Sequence, residues 1–481
     1  MCSTLGGATV FKLIFIISLS LSLISGCASP YRQLISPNVE LGAERVLIRD
    51  VSVFTATDTK LLPHHDVLIG EGRIQALQPT GEPPPPHVFV IEGAGKTLLP
   101  GFIDTHVHAT FSGSTPYEVI SPDPRHNLQA FLYAGVTTIY DLGGRASELA
   151  ELKAQVQSGE LIGPRIFHTH IPITVPGSHP LPATETVIPW PLNKVVSWLI
   201  PQIESLEQVD EVIDDYVARG VDYVKLTADQ LPPGTPEMGD PILKASIEAV
   251  KRRGLKAVVH IGGVDKALVS AQAGATALVH HTWRTPISEA EAQQLAQTGV
   301  FYMATLAAWE TTVQIGAGRH VPSRLAEELS PPILVESIRG ARGSALLELP
   351  SVGEMVRFAT QMRPTWAPSI KRLYEAGVPF LIGTDAGVPG IYPGSSLHDE
   401  LRYLSEAGIP NAELLIAVTR RGAEWFNPEA DFGTIEVGKV ADLVLLDGDP
   451  LVDITHSSKI HLVFRDGRAL KRLTQGYPTA R

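Results

Sequence analysis

The chain predicts an α/β protein, a (β/α)8 TIM-like barrel with a small composite β-sandwich domain built from its N- and C-terminal segments. Three observations predict it. Through the middle of the chain, apolar strand-like runs alternate with helix-like segments, the pattern of a parallel sheet with helices outside. Eight such runs can be counted, enough to close a barrel. Short all-β patterns lie at both ends, each too small to bury a core alone, so they are expected to pair with each other.

The chain has 481 residues, more than one ordinary domain, although an α/β barrel of about 250 residues often forms a single unit. An apolar fraction of 44% and a charged fraction of 19% are those of a globular protein. The net charge of -12, with no basic tract, argues against a nucleic-acid partner.

Residues 1–26 read as a targeting signal. Lys12 gives a thin positive region, Leu13 to Ser25 an apolar run of 13 residues, and Ile24-Ser25-Gly26-Cys27 follows. Such a run is too short to span a bilayer. It resembles the lipobox of bacterial lipoproteins, which implies cleavage before Cys27, lipid on its sulfur and new amino group, and a cell-envelope location facing periplasm or exterior. A plain secretory signal and a retained anchor are the alternatives. Cleavage removes Cys2 and Lys12, leaving Cys27 as the only cysteine and a charge of -13. No internal disulfide can then form. Residues 27–40 read as a tether.

Residues 41–99 carry strand patterns at Arg45 to Asp50, Val51 to Phe54, Asp66 to Gly70, Arg73 to Leu77 and Phe89 to Glu92, interrupted by Pro83 to Pro86. Residues 432–474 repeat the style at Gly433-Thr434-Ile435, Ala441 to Leu446 and Ile460 to Asp466, and 475–481 form a tail. Between them, residues 100–431 supply strand candidates ending at His108, Asp141, near Phe167, at Lys225-Leu226, His260 and His280, near Leu306 and at Asp385. Helices separate them. In one, Pro241 marks the start, Leu243, Ile247 and Val250 share a face, and Gly254 marks the end.

His106 and His108 close the first barrel strand, and strand side chains at i and i+2 point the same way, so both imidazoles can grip one metal ion. Alone, the pair could equally be half-exposed histidines. Lys225, His260, His280 and Asp385 fall at four other strand ends, and barrel closure brings all five strand ends to one mouth. Each has an ordinary reading: a snorkelling lysine, a hydrogen-bonded core histidine, a turn-capping aspartate. One metal site explains all six together. Imidazoles and carboxylate without thiolate suit Zn²⁺ best, with Mn²⁺, Fe²⁺ or Co²⁺ as alternatives.

The chain resembles the amidohydrolase superfamily, specifically its imidazolonepropionase-like and metal-dependent prolidase-like (Xaa-Pro dipeptidase-like) branch. The resemblance rests on Leu98 to His108, Gly135 to Gly144, Gly220 to Lys225, Gly383-Thr384-Asp385-Ala386-Gly387, Gly394 to His398 and Ile435 to Val444. It implies that His106, His108 and Asp385 hold one divalent ion, that His260 and His280 hold a second, and that a carboxylated Lys225 bridges the two. A desolvated lysine has a depressed pKa, so its neutral amine can capture CO2 as an anionic carbamate. The implied reaction is hydrolysis of an amide, peptide or cyclic amide or ester bond by a bridging hydroxide, with Asp385 carrying the proton to the leaving amine.

Counting from Gly274 through the family spacing selects His280 over the adjacent His281. His179 sits where prolidase-like relatives carry a Gly-Gly-His turn, so it is a substrate or supporting contact or loop surface. His398 is expected to be structural. Thr227 to Pro233 and Ile261-Gly262-Gly263 depart from the relatives' loops, which makes dipeptide specificity unsafe to carry over; a small molecule or a dipeptide remains the substrate class. The Pro-rich segment Pro172 to Pro201, with Trp190 and Trp198, is expected to lid the mouth. The competing functions are a mononuclear deaminase-like or lactonase-type amidohydrolase, which would not need Lys225, and a non-catalytic ligand-binding lipoprotein. A homo-oligomer stays open.

Overall fold

Alternating apolar residues near the N-terminus build strands longer than their separate patterns suggest. The computed structural model describes residues 29–36, 44–114, 120–188, 190–339 and 345–473. The signal segment, Cys27 and the tail 475–481 lie outside the described residues. After β1 (Ile35–Ser36), the two runs expected as separate strands are one, β2 (Arg45–Phe54). Asp50, at φ 55°, accompanies a shift of register within it rather than ending it. β3 (Leu61–Gly70) and β4 (Arg73–Pro79) continue antiparallel from β2. β5 (Phe89–Glu92) and β6 (Thr97–Pro100) add in parallel to successive halves of β2.

The central part holds eight parallel strands, one for each apolar run. β7 (Phe102–Val107), β8 (Val136–Asp141) and β9 (Arg165–His168) form one sheet. β10 (Tyr223–Ala228), β11 (Lys256–Ile261), β12 (Ala277–Val279), β13 (Phe301–Met303) and β14 (Phe380–Leu381) form a second in chain order. Backbone contacts link the two. Ile173 bridges to Leu226 of β10, Thr105 N–H donates to Ile382 O at 2.8 Å, and His108 N–H donates to Ala386 O at 2.7 Å. Four strands stop short of the expected ends, β7 at Val107, β12 at Val279, β13 at Met303 and β14 at Leu381. His280 and Asp385 stand at φ 68° and 67°, in the left-handed region that breaks an extended run.

The helices cover the strands as their patterns require. In Asp240–Arg252, Leu243, Ile247 and Val250 are fully buried, Pro241 lies in the first turn, and Lys251 and Arg252 occupy the last, where cations complement the helix dipole.

The chain's two ends then meet. β15 (Leu443–Leu446) pairs antiparallel with β6 and with β16 (Ile460–Arg465), which pairs with β17 (Arg468–Arg472), and β17 takes β1 on its outer edge. The result is one nine-stranded sheet, β1-β17-β16-β15-β6-β2-β3-β4, with β5 also on β2. It curls until the β3–β4 turn meets its other half, where Ala441 N–H donates to Gly72 O at 2.9 Å. Period-2 alternation gives it two apolar faces. Val53, Leu98, Leu443, Leu445 and Phe464 enclose a core inside the curl, whereas Phe54, Leu99, Val444 and Leu446 join the core shared with the parallel sheets.

Candidate metal centre

Parallel strands deliver side chains to one end of the central part, and the sequence decides which. In β7, His106 is buried and its Nε2 lies 3.0 Å from Lys225 Nζ of β10 and 3.2 Å from Asp385 Oδ1. His108 Nε2 reaches the same Oδ1 at 3.0 Å, while its Nδ1 faces Gly143 O at 3.2 Å. The His280 ring stands 4.2 Å from that of His260 and 5.0 Å from that of His106, centroid to centroid. Thus all six residues expected at the site come together.

Close backbone approach makes this possible. Asp104 is buried beneath the histidines and accepts from His106 N–H at 3.2 Å, Thr384 N–H at 3.1 Å and Thr384 Oγ1 at 2.7 Å, so one carboxyl sets both His106 and the segment carrying Asp385. Burial pushes that carboxyl up to about 7 against those hydrogen bonds. A Cβ on Gly383 would fall 2.6 Å from His106 Cβ, so only glycine lets the two segments lie this close.

The electrostatics favour neutral imidazoles beside an anionic carboxylate. Burial, aided by the neighbouring Lys225 charge, pushes His106 down to about 3, and burial likewise lowers His260 and His280. Burial also lowers Lys225, to about 8, against the pull of Asp385 and Asp141. Burial alone would raise Asp385, but its electrostatic interaction with the facing His106 and hydrogen bonds from both β7 histidines more than offset this and hold it well below the usual carboxylate range.

Neutral imidazole is the metal-ligating form. His106, His280 and Asp385 each offer a ligand atom within 4.8 Å of the others. The remaining ring nitrogens are already oriented. His280 Nδ1 lies 2.8 Å from Thr305 Oγ1, and His260 Nε2 lies 3.2 Å from Asp229 Oδ2, which leaves the opposite nitrogen of each ring for an ion. The donor set therefore fits divalent ions bound through imidazole and carboxylate.

Asp229 is a residue that sequence reasoning missed. It is fully buried and also accepts from Trp283 Nε1 at 2.8 Å and Arg284 Nε at 2.7 Å. Burial raises its carboxyl, but His260 and Arg284 hold it below the usual range. A signal was present: Lys225, Thr227 and Asp229 share the parity of one strand face.

Of the other histidines, His179 is half-buried with its ring centroid 5.0 Å from that of His260, at the cavity rather than on the loop surface. His281 turns away into the core, edge-on to Trp366 at 4.7 Å. His398 is spent on Ser457 Oγ at 2.9 Å and Ala134 O at 3.1 Å, the structural role expected of it.

Above the centre lies a cavity of about 780 Å³, floored by His108, Lys225, His179, His260, His280 and Asp385 and walled by Phe111, Leu231, Trp309, Met355 and Val356. Arg145, on its rim, is paired with Glu148 at 3.2 Å. The segment expected as an aromatic lid does border the mouth, through Ala183, Thr184, Val196 and Ile200. Its two tryptophans point outward into solvent instead.

Parallel strands with an imidazole-rich, lysine- and carboxylate-bearing mouth define an α/β enzyme equipped for metal. Over residues 97–470 the chain matches the Amidohydrolase family, and it belongs to that family. It is a hydrolase acting on carbon–nitrogen bonds. It is 24% identical over 399 residues to an imidazolonepropionase of Geobacillus sp. (strain WCH70), covering 74% of this chain and 76% of that one. The structure of a Xaa-Pro dipeptidase with methionine bound in its active site superposes with a TM-score of 0.72 at 21% identity, covering 89% of this chain and all of that one. The ochratoxinase of A. niger gives 0.66 at 17% identity, covering 89% and 95%.

Proposed function

We propose that the protein is a dinuclear metal hydrolase of amide bonds, anchored as a lipoprotein in a bacterial cell envelope. In this reading residues 100–431 close as a (β/α)8 barrel flanked by a sandwich of 41–99 and 432–474. His106, His108 and Asp385 would hold one divalent ion, His260 and His280 the other, with Zn²⁺ the best match, and a carboxylated Lys225 would serve both. The observation that carries it is Lys225, buried and 3.0 Å from His106 Nε2. A desolvated ammonium among buried imidazoles has only a hydrogen bond to offset its lost hydration, whereas a carbamate between cations is fully compensated. The depression of its pKa to about 8 supplies the neutral amine that CO2 needs.

When bound, the ions supply an acidified water and Lewis acidity toward the carbonyl oxygen. The protein does the rest. The water oxygen adds to the carbonyl carbon, its proton passes to Asp385, and Asp385 returns it to the nitrogen as the C–N bond breaks. Asp385 can do this because His106 and His108 keep it ionised beforehand. The apolar cavity wall excludes bulk water and favours a substrate with a bulky apolar group, whether a dipeptide or another small amide.

Metal analysis with a panel of dipeptides and amides tests the proposal. The wild type should carry two equivalents of metal; Lys225→Ala should carry at most one and lose at least about 100-fold in kcat. One equivalent in the wild type with full activity in the variant would establish a mononuclear, deaminase-like enzyme. Absence of metal and of any turnover would leave a ligand-binding lipoprotein.

A further inference from the structure

The helix Leu192–Leu199 carries apolar residues on two sides, and the protein covers only one. Val196 and Ile200 turn inward and border the cavity. Outward stand Leu192 (60% exposed), Val195 (54%), Trp198 (80%) and Leu199 (56%), joined by Trp190 (78%) just before the helix. Positions 192, 195 and 199 follow helical spacing, so these side chains form one face. The nearby charge is neutralised, since Lys194 pairs with Glu185 at 2.6 Å. Two exposed tryptophans flanked by aliphatic residues are the composition that settles at a membrane–water interface.

The N-terminal segment shows what lies beside this face. It runs along the helix Pro124–Tyr133. Gln129 Oε1 accepts from Leu34 N–H at 2.8 Å, and farther up Tyr31 OH donates to Ser121 O at 3.0 Å and its ring packs on His126 at 4.8 Å. Pro122, next to Ser121, borders the same cavity as Ala183 and Val196. The chain therefore leaves the described part, at Ser29, two residues from a side chain bonded to Ser121, whose neighbour Pro122 lines the cavity. Cys27 is two residues further, a reach of at most about 7 Å.

We propose that the outward face of the Leu192–Leu199 helix, with Trp190, docks on a lipid bilayer surface and turns the cavity mouth toward it. The proposal rests on the reading of Cys27 as lipid-bearing, which places a bilayer within that reach. Apolar insertion drives the docking, because the chain is net negative and the face carries no unpaired cation. Amides that partition into the interface would then meet the apolar cavity directly.

The mature protein, reconstituted in vesicles of phosphatidylethanolamine and phosphatidylglycerol, provides the test. Lipidation consumes the thiol of Cys27, so Val195→Cys or Val452→Cys creates a single site for an environment-sensitive fluorophore. Val452, in the segment between β15 and β16 and 80% exposed, is the control. The Val195→Cys label should shift to the blue and be quenched at least about two-fold by brominated lipid, without change at high salt, while the Val452→Cys label reports water. Water-like emission at both sites overturns the proposal. So does a Val195→Cys shift that needs no vesicles and grows with protein concentration, which assigns the face to a second copy of the chain. Mass spectrometry of the N-terminal peptide reads the anchor separately. A bare Cys27 overturns the lipoprotein reading, and the same labels, in a Cys27→Ser background with added vesicles, still decide the docking.

Discussion

Asp229 holds His260, a candidate metal ligand, in place without lining the cavity itself. Its carboxylate takes the His260 Nε2 side at 3.2 Å while Trp283 and Arg284 fix it from behind, so the ring can present only its other nitrogen. Asp229→Asn keeps the size but removes the charge, and the amide can turn its NH2 toward His260. We expect metal affinity to fall about 10- to 100-fold with little change in melting temperature of the metal-free protein, measured by competition with a chelator. His106 and His108 were legible because the strand period alone puts them on one face. Asp229 left only the strand parity it shares with Lys225 and Thr227, because its partners Trp283 and Arg284 arrive from 54 and 55 residues away. The ends of β12 and β14 were illegible for a different reason: His280 and Asp385 leave the extended conformation at ordinary, non-glycine residues, where tertiary contacts choose the backbone.

Among the elements, β15 shows how a strand can serve two cores and a clamp together. Its alternation sends Leu443 and Leu445 into the curled sheet and Val444 and Leu446 toward the parallel sheets, a division readable from the apolar run once the strand is known to be buried on both faces. Just before it, Asp442 is buried and joins the two parts by charge. Its carboxylate binds Arg465 Nη1 of β16 at 3.0 Å, Arg165 Nη1 of β9 at 2.9 Å and Asp466 N–H at 2.8 Å. The motif Ala441-Asp442-Leu443-Val444 looks like family signature in the sequence, yet the aspartate sits beside Arg165 at the start of β9, opposite the strand ends that carry the histidines, and its carboxylate bonds to none of the candidate metal ligands. Asp442→Asn leaves two guanidinium groups facing a neutral amide. Stability should fall by about 3 kcal/mol, read by urea unfolding, while metal stoichiometry stays that of the wild type. Loss of metal with unchanged stability would place Asp442 in the site instead.

For the whole molecule, the short β1 decides whether the proposed anchor would merely retain the protein or also orient it. The sequence of residues 27–40 reads as a tether because it is short, rich in Ser and Pro and without a periodic pattern, but two apolar residues in it, Leu34 and Ile35, are buried. Their burial depends on a groove built by the helix Pro124–Tyr133 and the last strand: Ile35 pairs with Arg472, and Leu473 N–H donates to Leu34 O at 2.9 Å. Neither partner is near in sequence, so the docking could not be anticipated from the segment itself. A chain beginning at residue 37 loses these contacts, whereas one beginning at residue 29 keeps them. Burial of one leucine and one isoleucine is worth about 3 to 6 kcal/mol as an upper bound, so the shorter chain should unfold at markedly lower urea, with the longer one close to the mature protein. A difference under about 1 kcal/mol would mean that the segment is held too weakly to fix the domain relative to Cys27. The larger value makes residues 31–36 a rigid extension of the fold, and if Cys27 bears the proposed lipid, the direction in which the cavity mouth faces would be set by the fold rather than by chance collisions with a membrane.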